Sequence, residues 1–261
     1  MDTLSQISHW RVVAASVCGV SHIKTNQLCQ DAHHWELLPD NILVAAVADG
    51  AGSASLGKVG AMVAVETAIE EISFHNLTQE VLQDDALIQE ILTTVLVSAK
   101  KTVESEADAC NVQARDFATT LILVIASPQA IAVAQIGDGV AVAKDTNGNL
   151  VALTLPDNGE YINQTIFLTS PEAIDKMQFK LWRLSVANVG ILTDGLQMLA
   201  LNMAVGAPHK PFFFPLFDFV TKAPDRNEAK EELVKFLSSE KITQRTDDDL
   251  TLILAAFHHH Y

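Results

Sequence analysis

Short apolar runs that stop at an aspartate constrain this chain more than any other feature. Residues 42–48 are wholly apolar and end at Asp49-Gly50. Residues 131–136 end at Gly137-Asp138-Gly139, and residues 189–193 end at Asp194-Gly195. A last run, residues 250–257, is preceded by Asp247-Asp248-Asp249. A run of about four to eight apolar residues between turn signals reads as a buried strand. An aspartate at its end, beside a glycine, places a carboxylate at the sheet rim where backbone can approach a ligand closely.

Between these runs the period of the pattern changes. Residues 12–17 form another strand candidate, and residues 21–31 are polar. Residues 57–72 carry helical spacing, with Val59, Val63 and Ala64 near one face and Glu66, Glu70 and Glu71 toward another. Over residues 84–108, Leu87, Ile88, Ile91, Val95, Leu96 and Val103 recur at threes and fours, which predicts a second helix. Strands are expected over residues 119–126 and 131–136, the latter resuming at 140–143 after Gly-Asp-Gly. Asn147-Gly148 predicts a two-residue hairpin turn into residues 150–155. Residues 179–186 and 189–193 read as strands, residues 195–204 and 227–237 as helical. Ser53 and Ser55 are expected to cap the helix that follows them. Thr119 and Thr120 are expected to finish a strand and bond locally. The block Phe212-Phe213-Phe214-Pro215-Leu216-Phe217 reads as buried packing, with an exposed docking patch as the alternative. The order of strands, two helices, strands, helices and one strand predicts an α+β fold of sheets with segregated helices, as a single domain over residues 1–261.

Charge narrows the function. The chain has 17 Lys+Arg against 32 Asp+Glu, a formal net charge of −15, so it lacks the basic stripe that nucleic acid or an anionic membrane requires. With 49% hydrophobic and 19% charged residues, disorder is excluded. The longest apolar stretches fall far short of the roughly 18 residues that span a bilayer, and no signal-peptide pattern opens the sequence. Cys18, Cys29 and Cys110 form no CxxC motif, which points to a reducing, cytoplasmic setting.

Several carboxylates brought together without a lysine or arginine repel one another, and hard divalent cations relieve that repulsion. Oxygen ligands alone, with no grouped His or Cys, indicate Mn²⁺ or Mg²⁺ rather than zinc. Two such ions about 3.5–4 Å apart can clamp a phosphoryl group and activate a water.

The ordered set Gln30-Asp31-Ala32, Val47-Ala48-Asp49-Gly50-Ala51-Gly52, Ala118-Thr119-Thr120-Leu121, Ile136-Gly137-Asp138-Gly139, Leu192-Thr193-Asp194-Gly195 and Asp248-Asp249-Leu250-Thr251 resembles the metal-dependent protein phosphatases of the protein phosphatase 2C type, in a compact bacterial form. The resemblance runs from about residue 10 to residue 257. It implies an α-β-β-α sandwich of two antiparallel sheets flanked by helices, with the metals in a cleft at one end. It implies that Asp49 bridges two metals, that Asp194 and Asp248 complete one, and that the Gly50 carbonyl serves the other. Asp138, with Asp194, matches a third and weaker site, and Asp31 lies beside the pair, reached through water. Residues 155–180 match a short flap. The implied reaction is hydrolysis of phosphoserine or phosphothreonine in proteins, by a hydroxide bridging the metals that attacks phosphorus in line, with no covalent enzyme intermediate.

Three departures stand out. Gln30 replaces the usual glutamate. Ala51 replaces the histidine proposed as general acid in many members, so His22, or less favourably His33, is the candidate donor. Asn26 stands where many members place a phosphate-binding arginine, and Lys24 is the nearby substitute. These departures keep two other readings open: a catalytically idle module that binds phosphoproteins, and a phosphohydrolase of small phosphoesters. The expected partner is a phosphorylated protein, a target shared with a Ser/Thr kinase, and the expected state is a monomer.

Overall fold

The computed structural model describes residues 9–156, 165–183 and 185–258. The chain begins with β1 (His9–Val17) and a one-turn helix α1 (Val20–Lys24), followed by β2 (Asp31–Leu38) and β3 (Ile42–Asp49). Two long helices, α2 (Gly57–Phe74) and α3 (Asp85–Ala109), come next. Then follow β4 (Leu121–Ala126), β5 (Ala130–Ile136), β6 (Val140–Asp145), β7 (Leu150–Ala152), β8 (Gln178–Arg183) and β9 (Val186–Leu192). The remainder holds α4 (Gln197–Ala200), the small pair β10 (Leu201–Asn202) and β11 (Ala207–Pro208), α5 (Lys210–Lys222), α6 (Arg226–Leu237), α7 (Glu240–Thr243) and β12 (Leu250–His258).

Two five-stranded antiparallel sheets carry the fold, in the orders β1-β12-β9-β6-β7 and β2-β3-β4-β5-β8. Three apolar layers hold them. The middle layer lies between the sheets and includes Trp10, Leu43, Val47, Val124, Val133, Ile191 and Ile253. One outer layer packs α2 and α3 on the second sheet through Val44, Ala46, Ile69, Leu92 and Leu123. The other packs α4–α7 on the first sheet through Val13, Leu192, Phe213, Phe217, Leu233 and Leu254. The expected α-β-β-α sandwich is the observed one. It also explains the unbroken apolar runs. Successive side chains of a strand alternate in direction, so in β3 Val44 and Ala46 meet helices while Leu43, Ala45 and Val47 meet the other sheet.

Several expectations are corrected. Residues 131–136 and 140–143 do not form one interrupted strand: β5 and β6 belong to different sheets, and Gly137-Asp138-Gly139 is the crossover. Gly137 sits at φ +107, and a Cβ there would meet the Thr120 side chain at 2.5 Å. The turn at Asn147-Gly148 is longer than two residues. Only Gly148 of the pair has positive φ, Lys144 pairs with Leu150, and Asp145 accepts from the Asn149 backbone (2.7 Å) and side chain (2.8 Å). A two-residue type I′ turn needs positive φ at both centres. Residues 195–204 are not one helix, because α4 ends at Ala200 and the chain turns back as β10 and β11.

The inward face of α2 also differs from expectation. It is made of Gly57, Gly60, Ala61, Ala64, Val65, Ala68, Ile69 and Ile72, while Val59 is exposed. Small residues let the helix lie close to its support, where a Cβ on Gly60 would stand 2.1 Å from the Phe117 carbonyl oxygen. In α3, Leu87 is exposed and the other predicted positions are buried. Ser53 and Ser55 do not cap α2: its N-cap is Leu56 without a side-chain bond, and Ser55 instead donates to Asp116 (3.4 Å). Of the longer elements, β2 and α5 were not anticipated, nor were the short helices α1 and α7. Phe213, Leu216, Phe217 and Val220 are the buried stripe of α5, so the phenylalanine block does pack as core.

Candidate metal centre

Antiparallel pairing gathers the aspartates. In such a sheet the end of one strand lies beside the start of the next. Asp31, the first residue of β2, therefore pairs in register with Asp49, the last of β3. Leu192, at the end of β9, pairs with Leu252 of β12 and with Val140 at the start of β6. This brings Asp194, Asp248 and Asp138 to the same end of the sandwich.

The backbone that presents them is pinned by threonines and amides. Thr119 Oγ1 donates to the Asp49 carbonyl (2.9 Å), and Thr120 Oγ1 accepts from the Asp49 N–H (2.9 Å). Thr119 bonds locally as expected, to the Thr120 carbonyl (3.1 Å), but both threonines also reach some 70 residues back in sequence to clamp Asp49. Thr193 Oγ1 donates to Asp31 Oδ2 (2.7 Å) and accepts from the Thr251 N–H (3.0 Å). Buried Gln135 donates to the carbonyls of Gly137 (3.0 Å) and Gly139 (2.8 Å), which fixes the loop that carries Asp138. Thr165 donates to Asp138 Oδ2 (2.6 Å), and the Gln197 amide donates to the Asp138 carbonyl, so the start of α4 is tied to that loop.

Electrostatically the group is unfinished. Burial pushes the Asp31 carboxyl up to about 7, aided by Asp249 and Asp194 and opposed by its threonine bonds. Burial likewise holds Asp49 well above the usual range, reinforced by Asp31, Asp194 and Asp248. Asp194 is raised to about 6, by burial first and by Asp138 second, and it lies within hydrogen-bonding reach of Asp49. Asp248 is raised as well, by desolvation. Asp31 Oδ1 and Asp194 Oδ1 are buried with no hydrogen-bond partner. Desolvated carboxyls facing one another with unpaired oxygens fit a hard cation. Among the described residues no three His, Cys, Asp or Glu side chains close into a cage by themselves.

The departures from the family pattern now have physical reasons. With its amide nitrogen turned inward, Gln30 donates to the carbonyls of Gly50 (2.9 Å) and Ala51 (3.1 Å). A glutamate there would oppose two carbonyl oxygens. Ala51 is buried in a small apolar cluster with Ala54, Ala118 and Phe167. Gly50 itself abuts the start of α2, where a Cβ would lie 2.4 Å from Gly57.

Not every candidate residue joins the cluster. Lys24 is exposed at the end of α1. A cleft of about 420 Å³ beside Gln30 and Gly57 is lined instead by Lys58, with Gln27, Ser53 and Ser55. Sequence reasoning passed over Lys58 because it stands in a helical stretch; its place in the first turn of α2, directly after the Asp49-Gly50 segment, was the available signal. Sequence reasoning also passed over Asp249. This residue is buried and accepts from the N–H of Gly19 (2.6 Å), the N–H of Gln30 (2.5 Å) and His22 Nδ1 (2.9 Å). His33 bonds to Ser16 Oγ (2.8 Å) and is held down near 4, by burial first and by Lys230 and His34 after it, so it is no proton donor at neutral pH. A larger groove of about 690 Å³, lined by Leu199, Phe212, Leu216, Phe219, Leu233 and Phe236 among others, lies on the outer helical face, away from the carboxylates. Of the flap segment, residues 157–164 lie outside the described residues.

Known proteins match this arrangement. Residues 18–238 match the protein phosphatase 2C family profile. Serine/threonine-protein phosphatase 3 of Escherichia coli (strain K12) is 40% identical over 253 residues, covering 94% of this chain and 98% of that protein. The serine/threonine phosphatase Stp1 from Staphylococcus aureus shares the fold, with a TM-score of 0.66 at 13% identity, covering 99% of this chain and 98% of its own. The catalytic domain of the serine threonine protein phosphatase PstP, solved in complex with two manganese ions, does so with a TM-score of 0.62 at 14% identity, covering 96% of this chain and 99% of its own. The sandwich, the aspartates at its rim and these matches together make the chain a member of the protein phosphatase 2C family.

Proposed function

We propose that the protein is a Mn²⁺- or Mg²⁺-dependent phosphatase of phosphoserine and phosphothreonine in proteins. One observation carries this reading above the rest: desolvated carboxyls converge at one end of the sandwich, with the buried oxygens of Asp31 and Asp194 unpartnered. In this reading Asp49, Asp194 and Asp248, with the Gly50 carbonyl, hold two ions, Asp138 with Asp194 holds a third more weakly, and Asp31 acts through water. When bound, such ions supply a nucleophilic water at neutral pH and neutralise charge on the phosphoryl oxygens. The chain's part is to fix the carboxylates through Thr119, Thr120, Thr193 and Gln135, and to hold the Gly50 backbone in place through Gln30. Lys58, rather than Lys24, is placed to meet the phosphoryl group or an acidic flank of the substrate.

The idle-module reading loses its motivation, because Gln30 and Ala51 are explained by packing and hydrogen bonding and no rim aspartate is replaced. The small-phosphoester reading stays distinguishable by substrate. The three cysteines are free thiols, which supports a cytoplasmic setting, and among the described residues no helix is long and apolar enough to cross a membrane. A monomer acting on the targets of a Ser/Thr kinase is the matching cellular role.

The test is turnover of a phosphothreonine peptide and of p-nitrophenyl phosphate with Mn²⁺, with Mg²⁺ and after chelation. The wild type turns over the peptide only with metal. Asp49→Asn and Asp194→Ala lower kcat by at least about 100-fold, and Lys58→Ala raises KM for the peptide more than Lys24→Ala does. Metal-independent turnover, or full activity in Asp194→Ala, would overturn the assignment; turnover of the small ester alone would favour the phosphoester reading.

A further inference from the structure

We propose that His22, held by the buried carboxylate of Asp249, donates the proton taken up by the departing serine or threonine oxygen. The inference rests on the phosphatase reading above and adds to it the residue that completes the leaving group. Ala51 removes the family's own candidate donor, and its side chain lies in a small apolar cluster with Ala118 and Phe167. His33 is neutral, bonded to Ser16 and set beside Lys230 of α6.

His22 has the opposite setting. Its Nδ1 meets Asp249 Oδ2 at 2.9 Å, and its side chain keeps 13% exposure, against 2% for Asp249. The carboxylate at Nδ1 fixes the orientation of the ring, so that in its protonated form the Nε2–H is the proton to be given. Asp249 is itself anchored. It receives the Gly19 N–H that precedes α1 and the Gln30 N–H that precedes Asp31, so one carboxylate ties the histidine to the strand bearing the cluster. It also follows Asp248 directly, and His22 lies within electrostatic reach of Asp248. The imidazole is therefore fixed at the rim of the aspartate cluster.

The step balances. A water oxygen bonds to phosphorus and gives up a proton to solvent while the bond from phosphorus to the substrate oxygen breaks, and the electron pair of that bond stays on the substrate oxygen. The Nε2 proton of His22 neutralises it as the alcohol leaves, and solvent returns a proton to the imidazole. Asp249 serves as a positioning residue.

Leaving-group dependence tests this, because nitrophenolate departs with little need of a proton whereas a serine or threonine alkoxide does not. kcat is measured on a phosphothreonine peptide and on p-nitrophenyl phosphate, with Mn²⁺, for wild type, His22→Gln and Asp249→Asn. General acid catalysis contributes about 10²–10⁴-fold. His22→Gln is expected to lower the ratio of peptide to nitrophenyl turnover by at least about tenfold. Asp249→Asn, which keeps an acceptor oxygen for Gly19, is expected to move the ratio in the same direction, with thermal unfolding recorded alongside. If Asp249→Asn does not fold, His22→Gln decides alone. Equal losses on both substrates, or a rise in KM without a change in the ratio, would overturn the proposal, since those mark a structural or phosphate-binding role. A wild type without metal-dependent turnover would overturn this inference and the phosphatase reading together.

Discussion

At the residue scale, the crowded carboxyls at the rim of the sandwich work against the fold. Asp31, Asp49 and Asp194 all have folded-state values above the ordinary 3.8, two of them at about 7 and about 6. The folded state therefore holds protons that the unfolded chain has released. For Asp31 and Asp194 that contribution is fully favourable below about pH 4 and is lost as pH rises through about 6 and about 7. His33 opposes them: its value is lowered to about 4, so its contribution is present above about 6.5 and lost as pH falls toward 4. These carboxyls, with the raised Asp248 beside them, outnumber the one lowered imidazole. In chelator, the urea midpoint is expected to fall between about pH 5 and about pH 7.5, and Mn²⁺ should remove most of that fall. A flat profile in chelator would show that the carboxyls are not crowded. Gln30 gives a second outcome at this scale. Gln30→Glu, although it restores the usual family residue, should destabilise the metal-free protein by about 1–3 kcal/mol, because the new carboxylate faces the Gly50 and Ala51 carbonyls. Denaturant unfolding measures it, and unchanged stability would mean those two bonds contribute nothing.

At the element scale, α2 shows how closely the support of the site is built. Its first residue abuts Gly50, and Gly60 lies against the Phe117 carbonyl. Gly60→Ala should cost about 1–3 kcal/mol, since the obstructing atom is backbone and cannot turn aside. Gly52→Ala, with nothing within 4 Å of the added carbon, should be neutral or stabilising by about 0.4–1 kcal/mol. Equal effects in thermal melts would refute the close approach. Elements with one dominant period were legible in the sequence: β3, β4, β5, α3 and β12. The strand β2 was not, because it lies at a sheet edge and several of its residues are only half-buried, so Asp-Ala-His-His-Trp-Glu shows no clean alternation. The helix α5 was not either. Pro215 and a run of phenylalanines hid the spacing of Phe213, Leu216, Phe217 and Val220.

At the scale of the whole molecule, the net charge of −15 becomes a statement about substrates. A phosphopeptide with basic flanks is drawn to an acidic surface, and an acidic one is repelled. Their ratio of kcat/KM should favour the basic peptide several-fold at low salt and shrink as ionic strength rises, as screening shortens to about 8 Å near 0.15 M. A salt-independent ratio would place substrate choice entirely in local contacts.

The sequence by itself determined the layers and the identity of the rim carboxylates, because strand-length apolar runs and terminal aspartates are local features. The roles of neighbouring residues depend on pairing across long separations. Thr119 and Thr120 clamp Asp49, Gln30 turns to the Gly50 and Ala51 carbonyls, and Asp249 rather than Asp248 secures His22. Gly137-Asp138-Gly139 reads as a pause in one strand until the second sheet is seen. Only the tertiary structure decided these, since hydrogen-bond geometry and desolvation exist only once strands distant in the chain have been packed together.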